Sequence, residues 1–331
     1  MRFSRKPIVL LLSRYPHHTL PIYRELSLGA RVIWVGLRIP KRVSTLNLIP
    51  IFLYELLGSL LLGLKYRPRV ILSYYLGLES LVSIILKYPL RAKAVLYSIG
   101  SDMLAAASFQ RAIASFSLRR SDALICVNKE LGEIGRKLGA RSVKVIPTLI
   151  NTHDFHLTAP RSKEFDVINV GYLVPVKGQG LLIDACKELP GISVVIVGEG
   201  PLMKELTLKA KHSPCKITFT GKVVHRKVWE LLQMSKIYVH TSTREGVPAA
   251  ILEAMYCELP VIAVKASYLT FLKDLGLNII VAERDPRKLA ETIKTVLSNY
   301  QRESTLAREN KKKLVKIIEK AKKDLVKAIL Y

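Results

Sequence analysis

Apolar residues along the chain fall into short runs separated by longer amphipathic segments, and this spacing predicts strands alternating with helices. Pro7–Ser13, Arg31–Gly36, Val70–Ser73, Ala94–Ser98, Ala123–Val127 and Val143–Ile146 read as buried strands. Helical patterns lie between them at Leu20–Leu28, Ile49–Tyr66, Glu79–Lys87, Gln110–Arg120 and Lys129–Leu138. The alternation stops at Pro147, and the polar stretch from there to about Lys163 reads as a linker. It restarts with strands at Asp166–Gly171, Ser193–Gly198, Ile217–Gly221, Ile237–Thr241 and Val261–Val264, and with helices at Gly178–Leu189, Pro201–His212, His225–Met234 and Pro248–Cys257. Strands that are apolar throughout belong in parallel sheets covered on both faces. The expected class is α/β, with two Rossmann-like doubly wound domains, 1–155 and 156–300, facing a cleft. Pro286–Tyr331 reads as helical, and its basic end, 301–331, is expected to pack back on the body. Leu314, Ile317, Ile318, Ala321, Leu325, Ala328 and Ile329 form its apolar stripe. The lysine-rich face opposite is either solvated or set against a membrane.

Composition adds a partner to this picture. The chain has 331 residues, half of them apolar, and a net charge of +26. Residues 1–150 hold 23 Lys and Arg against 7 Asp and Glu, so the surplus is concentrated in the first half. Such a surface calls for an anionic partner: nucleic acid, an anionic membrane or a phosphorylated substrate. Nucleic acid is set aside, because no helix-turn-helix, zinc-finger or RNP-type signature occurs and basic residues do not interleave with aromatics. Cys126, Cys186, Cys215 and Cys257 are scattered, and read as buried thiols in a reducing compartment.

Two segments bear on location. The basic start followed by Ile8–Leu12 has the outline of a signal peptide. Its apolar run is too short and is closed by Ser13-Arg14-Tyr15-Pro16, so a first strand is expected. Leu46–Leu64 approaches spanning length, but contains Pro50, Glu55 and two glycines and ends in Lys65-Tyr66-Arg67-Pro68-Arg69. It reads as a helix buried against a sheet or docked on an anionic membrane surface, ahead of a true span. The expected location is cytoplasmic, peripheral at the inner face of the membrane.

The candidate chemistry is a pair of acids, Glu245 and Glu253, eight residues apart around the start of an apolar helix. Helix N-termini offer free N–H groups to phosphate, and nearby carboxylates accept from sugar hydroxyls. On spacing alone the pair reads first as a first-turn cap and a solvated acid, and the flanking sequence changes that. Three strand ends supply context: Gly171 to Gly178 with Lys177, Gly198-Glu199-Gly200-Pro201, and Thr241 to Gly246.

With these motifs in order, the chain resembles the retaining glycosyltransferases of family 4, which have the GT-B fold. Val170 to Val264 looks like their donor-binding domain, including the E-x7-E signature ending in Glu253-Ala254-Met255. Ile99-Gly100-Ser101-Asp102 is similar to the family's His-Gly-x-Asp turn, and Pro147 through Phe155 to its linker segment. The resemblance implies a hexose or N-acetylhexosamine transferred from a nucleotide sugar to a phosphorylated or lipid-linked glycan. It implies catalytic roles for Glu245, Lys177 and Asp102. It implies donor binding by Glu253, Gly171, Tyr172, Gly198, Gly200, Val223, Gly246, Val247 and Arg14. No Asp-x-Asp occurs, so neither a metal clamp nor a cofactor is implied.

Three departures stand out. Tyr172 replaces an arginine, Ile99 a histidine, and Ser13 to His18 a glycine-rich loop. Either Arg14, His17 and His18 supply the missing polar contacts, or they form a plain surface loop. The rival expectation is a non-catalytic GT-B protein that binds nucleotide, glycan or a partner glycosyltransferase. A phosphorylase or epimerase on the same fold is a third reading.

Overall fold

The computed structural model describes residues 6–13, 16–36, 45–104, 108–153, 155, 162–245 and 248–331. The chain forms two compact units, one made of Met1–Leu149 with Ile318–Tyr331 and the other of Ile150–Ile317. The first holds strands β1 (Ile8–Ser13), β2 (Arg31–Gly36), β3 (Val70–Tyr74), β4 (Lys93–Ser98), β5 (Ala123–Cys126) and β6 (Val143–Val145). The second holds β7 (Phe165–Val170), β8 (Ser193–Val197), β9 (Lys216–Phe219), β10 (Ser235–His240), β11 (Val261–Val264) and β12 (Ile280–Ala282). Every strand pairing within the two six-stranded sheets is parallel. The two Rossmann-like sheets expected from the apolar runs are present.

Burial explains why these runs are strands. All five residues of β3 and of β1's Val9–Ser13 are buried, as a sheet covered on both faces requires. In the second unit Val167, Val194, Ile196, Ile237, Val239, Ile262 and Val264 form one core with Leu182, Leu289 and Ile293 from the helices.

Strand order locates the crevices. The second sheet runs β12-β11-β10-β7-β8-β9, so it reverses direction of growth at β7. Connections leaving β7 and β10 diverge, and an opening remains beyond their carboxyl ends. The first sheet runs β2-β1-β3-β4-β5-β6 and reverses between β1 and β3. Its switch-point loops begin at Arg14, which lies outside the described residues, and at Tyr75, a non-glycine residue held at φ 94.

Some boundaries differ from expectation. The units meet between Leu149 and Ile150, not after residue 155. The final helical region is two helices, Pro286–Ser298 and Tyr300–Leu330, broken at Asn299. Asp285 starts the former by accepting a hydrogen bond from Lys288 N at 3.0 Å, with Pro286 in the first turn. The latter buries Leu314, Ile318, Ala321, Leu325 and Ile329, while Lys312, Lys316, Lys320 and Lys323 face solvent. Its turns from Ile318 belong to the first unit. The helix expected over Gly178–Leu189 is Gln179–Ala185 followed by a 3-10 turn, Cys186–Glu188. The strand β12 and the helix Tyr268–Asp274 lie in a stretch that carries no strong period.

Close backbone approach makes Gly198 indispensable. Its φ is +141, and an added Cβ would sit 2.0 Å from Gly171 O. Gly191 also has positive φ, +79, but nothing lies within 4 Å of its Cβ position. Gly191→Ala is expected to lose about 1 kcal/mol, the cost of a left-handed backbone alone. Gly198→Ala is expected to lose at least about twice as much, because the β7 and β8 loops must separate. Urea denaturation of both variants checks this, and equal losses would contradict it.

Candidate functional site

An ion pair joins the loops that follow β7 and β10. The loop from Gly171 ends in a 3-10 turn, Pro175–Lys177, and the Gln179–Ala185 helix follows. From it the Lys177 ammonium reaches Glu245 Oε1 at 2.5 Å. The two loops are laced together beneath this pair. Thr241 Oγ1 donates to Lys177 O at 2.8 Å, and Thr243 N donates to Val176 O at 2.8 Å. Gly178 turns at φ +64, and a Cβ there would meet Thr241 O at 2.5 Å. Arg284 Nη2 donates to Thr241 O at 3.2 Å and to Ser242 O at 2.9 Å, fixing the loop from its other side.

Glu245 is an ionised acid in a mostly buried place. Ser242 Oγ donates to its Oε1 at 2.6 Å, and His240 Nε2 lies 3.4 Å from the same atom. Burial pushes the Glu245 carboxyl up, but His240 and the Lys177 ammonium outweigh it and bring its pKa to about 2. His240 is itself fully buried. Burial drives its pKa down, Glu245 opposes this and Lys177 adds to it, so the imidazole is neutral at neutral pH. Its Nδ1 shares a 2.9 Å hydrogen bond with the Tyr238 hydroxyl. Among the described residues, its Nε2 has no well-formed hydrogen-bond partner.

The second acid is anchored differently. Glu253 is buried on the Ala249–Tyr256 helix, and His225 Nε2 lies 2.9 Å from its Oε1. His225 opens its own helix, His225–Gln233, directly after half-buried Val223 and exposed Val224. Gly171, Gly198 and Gly200 form the tight crossing below. Gly171 N donates to Val197 O at 3.0 Å, and a Cβ on Gly200 would meet Leu173 O at 2.4 Å. Tyr172 stands half exposed beside them. Gln179 is buried there, and its Oε1 has no hydrogen-bond partner among the described residues. Gly246, Val247 and Arg14 lie outside the described residues.

Asp102 belongs to the first unit and is buried. Its oxygens accept from Ser98 Oγ at 2.7 Å, Gly100 N at 2.9 Å and Leu76 N at 3.0 Å. Burial raises its pKa against the lowering effect of these bonds. A carboxylate so enclosed ties the loop after β3 to the loop after β4. Ile99 sits half buried in the same turn.

His240, Ser242, Arg284 and His225 were not among the expected site residues. His240 had a readable signal: it follows Tyr238 by two on β10, so both project from the same face of that strand. Arg284 had none, since its contact depends on how β12 and β10 are ordered in the sheet.

With the geometry in place, comparison with known proteins adds context. The family model "Glycosyl transferases group 1" matches residues 153–323. An uncharacterized glycosyltransferase of Methanocaldococcus jannaschii is 26% identical over 249 residues, covering 72% of this chain and 68% of that protein. A phosphatidylinositol N-acetylglucosaminyltransferase protein of Arabidopsis thaliana is 27% identical over 197 residues, covering 56% of this chain and 44% of the relative. The chain therefore spans less than half the length of that plant protein. The crystal structure of Anabaena HepE with UDP and glucose superposes with a TM-score of 0.73 at 18% identity, covering 96% of this chain and 99% of that one. At that identity the likeness shows the fold, which is GT-B.

The acid–base state of Glu245 yields a pH signature. Its folded pKa, about 2, lies below the ordinary value of 4.5. Ionised Glu245 therefore stabilises the fold above about pH 4.5, and this contribution fades as pH falls toward 2. The shift corresponds to ~3 kcal/mol. Wild type is expected to exceed Glu245→Gln by roughly this amount near pH 6, with the gap closing in acid. Denaturant titrations across pH measure it, and a gap independent of pH would rule out the assigned ionisation.

Proposed function

The chain belongs to the glycosyl transferases group 1, and from that premise we propose that it is a retaining family 4 hexosyltransferase. It moves a hexose or N-acetylhexosamine from a nucleoside-diphosphate sugar to a phosphorylated, lipid-linked or membrane-associated glycan. The observation that carries this reading is the Lys177–Glu245 pair at the β7/β10 opening, with buried Glu253 eight residues further on. HepE, which shares the fold, is described with UDP and glucose, and the Arabidopsis relative is named for N-acetylglucosamine transfer to phosphatidylinositol. The former supports a nucleotide-sugar donor, the latter an acceptor on a lipid.

Each group then has a task. Glu253, steadied by His225, accepts from the ribose hydroxyls. Glu245 accepts from a hydroxyl of the donor sugar. Lys177 meets the diphosphate, and in doing so releases Glu245 Oε1 to the sugar. Gly171, Gly198 and Gly200 let the backbone come close, and Val223 borders the base. The charge withheld by Tyr172 is supplied by Arg284, whose Nη2 is held on two carbonyls while Nη1 lies 3.5 Å from the Cβ position of Gly178. Retention follows from front-face attack. The acceptor oxygen bonds to the anomeric carbon, the bond to the diphosphate oxygen breaks, and the departing phosphate takes the acceptor proton. Positive charge fixed beside the leaving group is worth most in such a step.

A second reading, a non-catalytic nucleotide- or glycan-binding protein, is favoured by Tyr172 and Ile99 standing where the resemblance places arginine and histidine. Calorimetry with UDP, GDP and ADP, followed by donor turnover with membrane extract, separates the two. Glu253→Ala is expected to weaken binding of the preferred nucleotide about tenfold or more, by loss of charged hydrogen bonds to the ribose. Glu245→Ala is expected to lower turnover more than nucleotide affinity. Nucleotide binding unchanged in both variants would remove the donor site from this pair. Tight binding with no turnover across acceptors would favour the second reading.

A further inference from the structure

The Thr45–Tyr66 helix is apolar on both its inner and its outer side. Its inner face is fully used. Phe52, Leu56 and Leu60 pack on the core made by Leu10, Leu12, Ile71, Val82 and Leu86. Near its end Gly63 lies so close to Leu90 that a Cβ would approach a leucine methyl to 2.3 Å. Glu55 and Ser59 are buried on this inner side.

The outer face should then be polar, and it is not. Ile49, Leu53, Tyr54, Leu57, Leu61 and Leu64 are exposed by between 49% (Leu53) and 78% (Tyr54). Steps of three and four place them on one side of the helix. No charged side chain interrupts this face before Lys65. A contiguous apolar strip of this kind marks an interaction surface.

Its rim says what the surface meets. Lys65, Arg67 and Arg69 are exposed at the helix end. Exposed Arg91 follows Leu90, which packs on Gly63, and Lys93 pairs in register with Val70 beside Arg69. Asp122, which bonds Ala94 N next to Lys93, is engaged by Lys87. We infer that this face is a docking surface for an anionic lipid bilayer, met from one side. The apolar strip enters the interface and the basic rim takes the lipid phosphates. A second copy of the chain is the poorer match, because pairing two such faces sets one basic rim near another on a unit already in large positive excess. By length and composition the helix is long and apolar enough to cross a membrane. Crossing would strip Phe52, Leu56 and Leu60 from the core and carry Glu55 into lipid, so the helix lies along the surface.

Vesicle sedimentation tests this without any sugar donor, so its outcome is separate from that of the transferase reading. The protein is expected to pellet with vesicles of equal parts phosphatidylglycerol and phosphatidylcholine, and to remain in solution with phosphatidylcholine alone. The triple variant Leu53→Glu, Leu57→Glu, Leu61→Glu should lose about a hundredfold or more in vesicle affinity. It should keep its thermal unfolding profile, because those side chains project outward. Lys65→Glu with Arg69→Glu, which leaves the apolar strip intact, should lose about twentyfold or more and abolish the preference for anionic lipid. Alkaline carbonate should release the bound protein. Binding unaffected by either variant would overturn the inference. So would retention after carbonate, which means a span, or a concentration-dependent dimer abolished by the triple variant without vesicle binding.

Discussion

Lys177 and Glu245 are 68 residues apart in the chain and touch because β7 and β10 are neighbours. The contacts between the two loops follow from that adjacency. The sheet reverses at β7, so the two loops leave toward opposite faces and their first residues border an opening. An ion pair in such a place is a poor way to stabilise a fold. Desolvating an ammonium and a carboxylate costs several kcal/mol each, on the order of what their attraction offsets. The structure nevertheless uses a left-handed glycine, two threonine contacts and an arginine clamp to hold the pair together. Such support makes sense when the two charges are wanted as charges, ready to be separated by a ligand that offers one negative group and one hydroxyl.

The same logic distinguishes the three carboxylates. Glu245 is kept ionised by a lysine, a serine and a histidine, all at its Oε1. Glu253 has one histidine and a helix face. Asp102 is surrounded by donors of its own unit, two of them backbone N–H groups. Those bonds tie the loop after β3 to the loop after β4 through one buried side chain.

What was legible in the chain was whatever is encoded locally. Apolar runs marked eleven of the twelve strands, and glycines after strands marked the tight crossings at Gly171, Gly198 and Gly200. The paired acids were legible because strand, loop and helix follow one another within a few residues. β12 was not, since three residues at a sheet edge carry neither period nor length. Arg284 and His225 were not, because each acts on a residue far from it in sequence, and only the strand order or the helix packing brings them there. His240 lay between these cases. Its alternation with Tyr238 was visible, but its importance depends on a buried Nε2 pointing at Glu245, which no periodicity reports.

Charge separates two kinds of recognition in this molecule. At the Glu245 site charges of both signs stand close together: Lys177 on Glu245, His225 on Glu253 and Arg284 on the loop carbonyls. Its selectivity must come from contacts a few ångströms long. The first 150 residues, by contrast, hold 23 basic against 7 acidic residues. Exposed charges act over about 8–10 Å at physiological salt, which suits an extended anionic surface better than one small ligand. The outward strip from Ile49 to Leu64 lies in that same unit, edged by Lys65, Arg67 and Arg69. Apolar area without charge would draw the chain to itself, and charge without apolar area would leave only salt-sensitive contact. Together on one helix and its rim, they favour a phase that is both apolar and anionic.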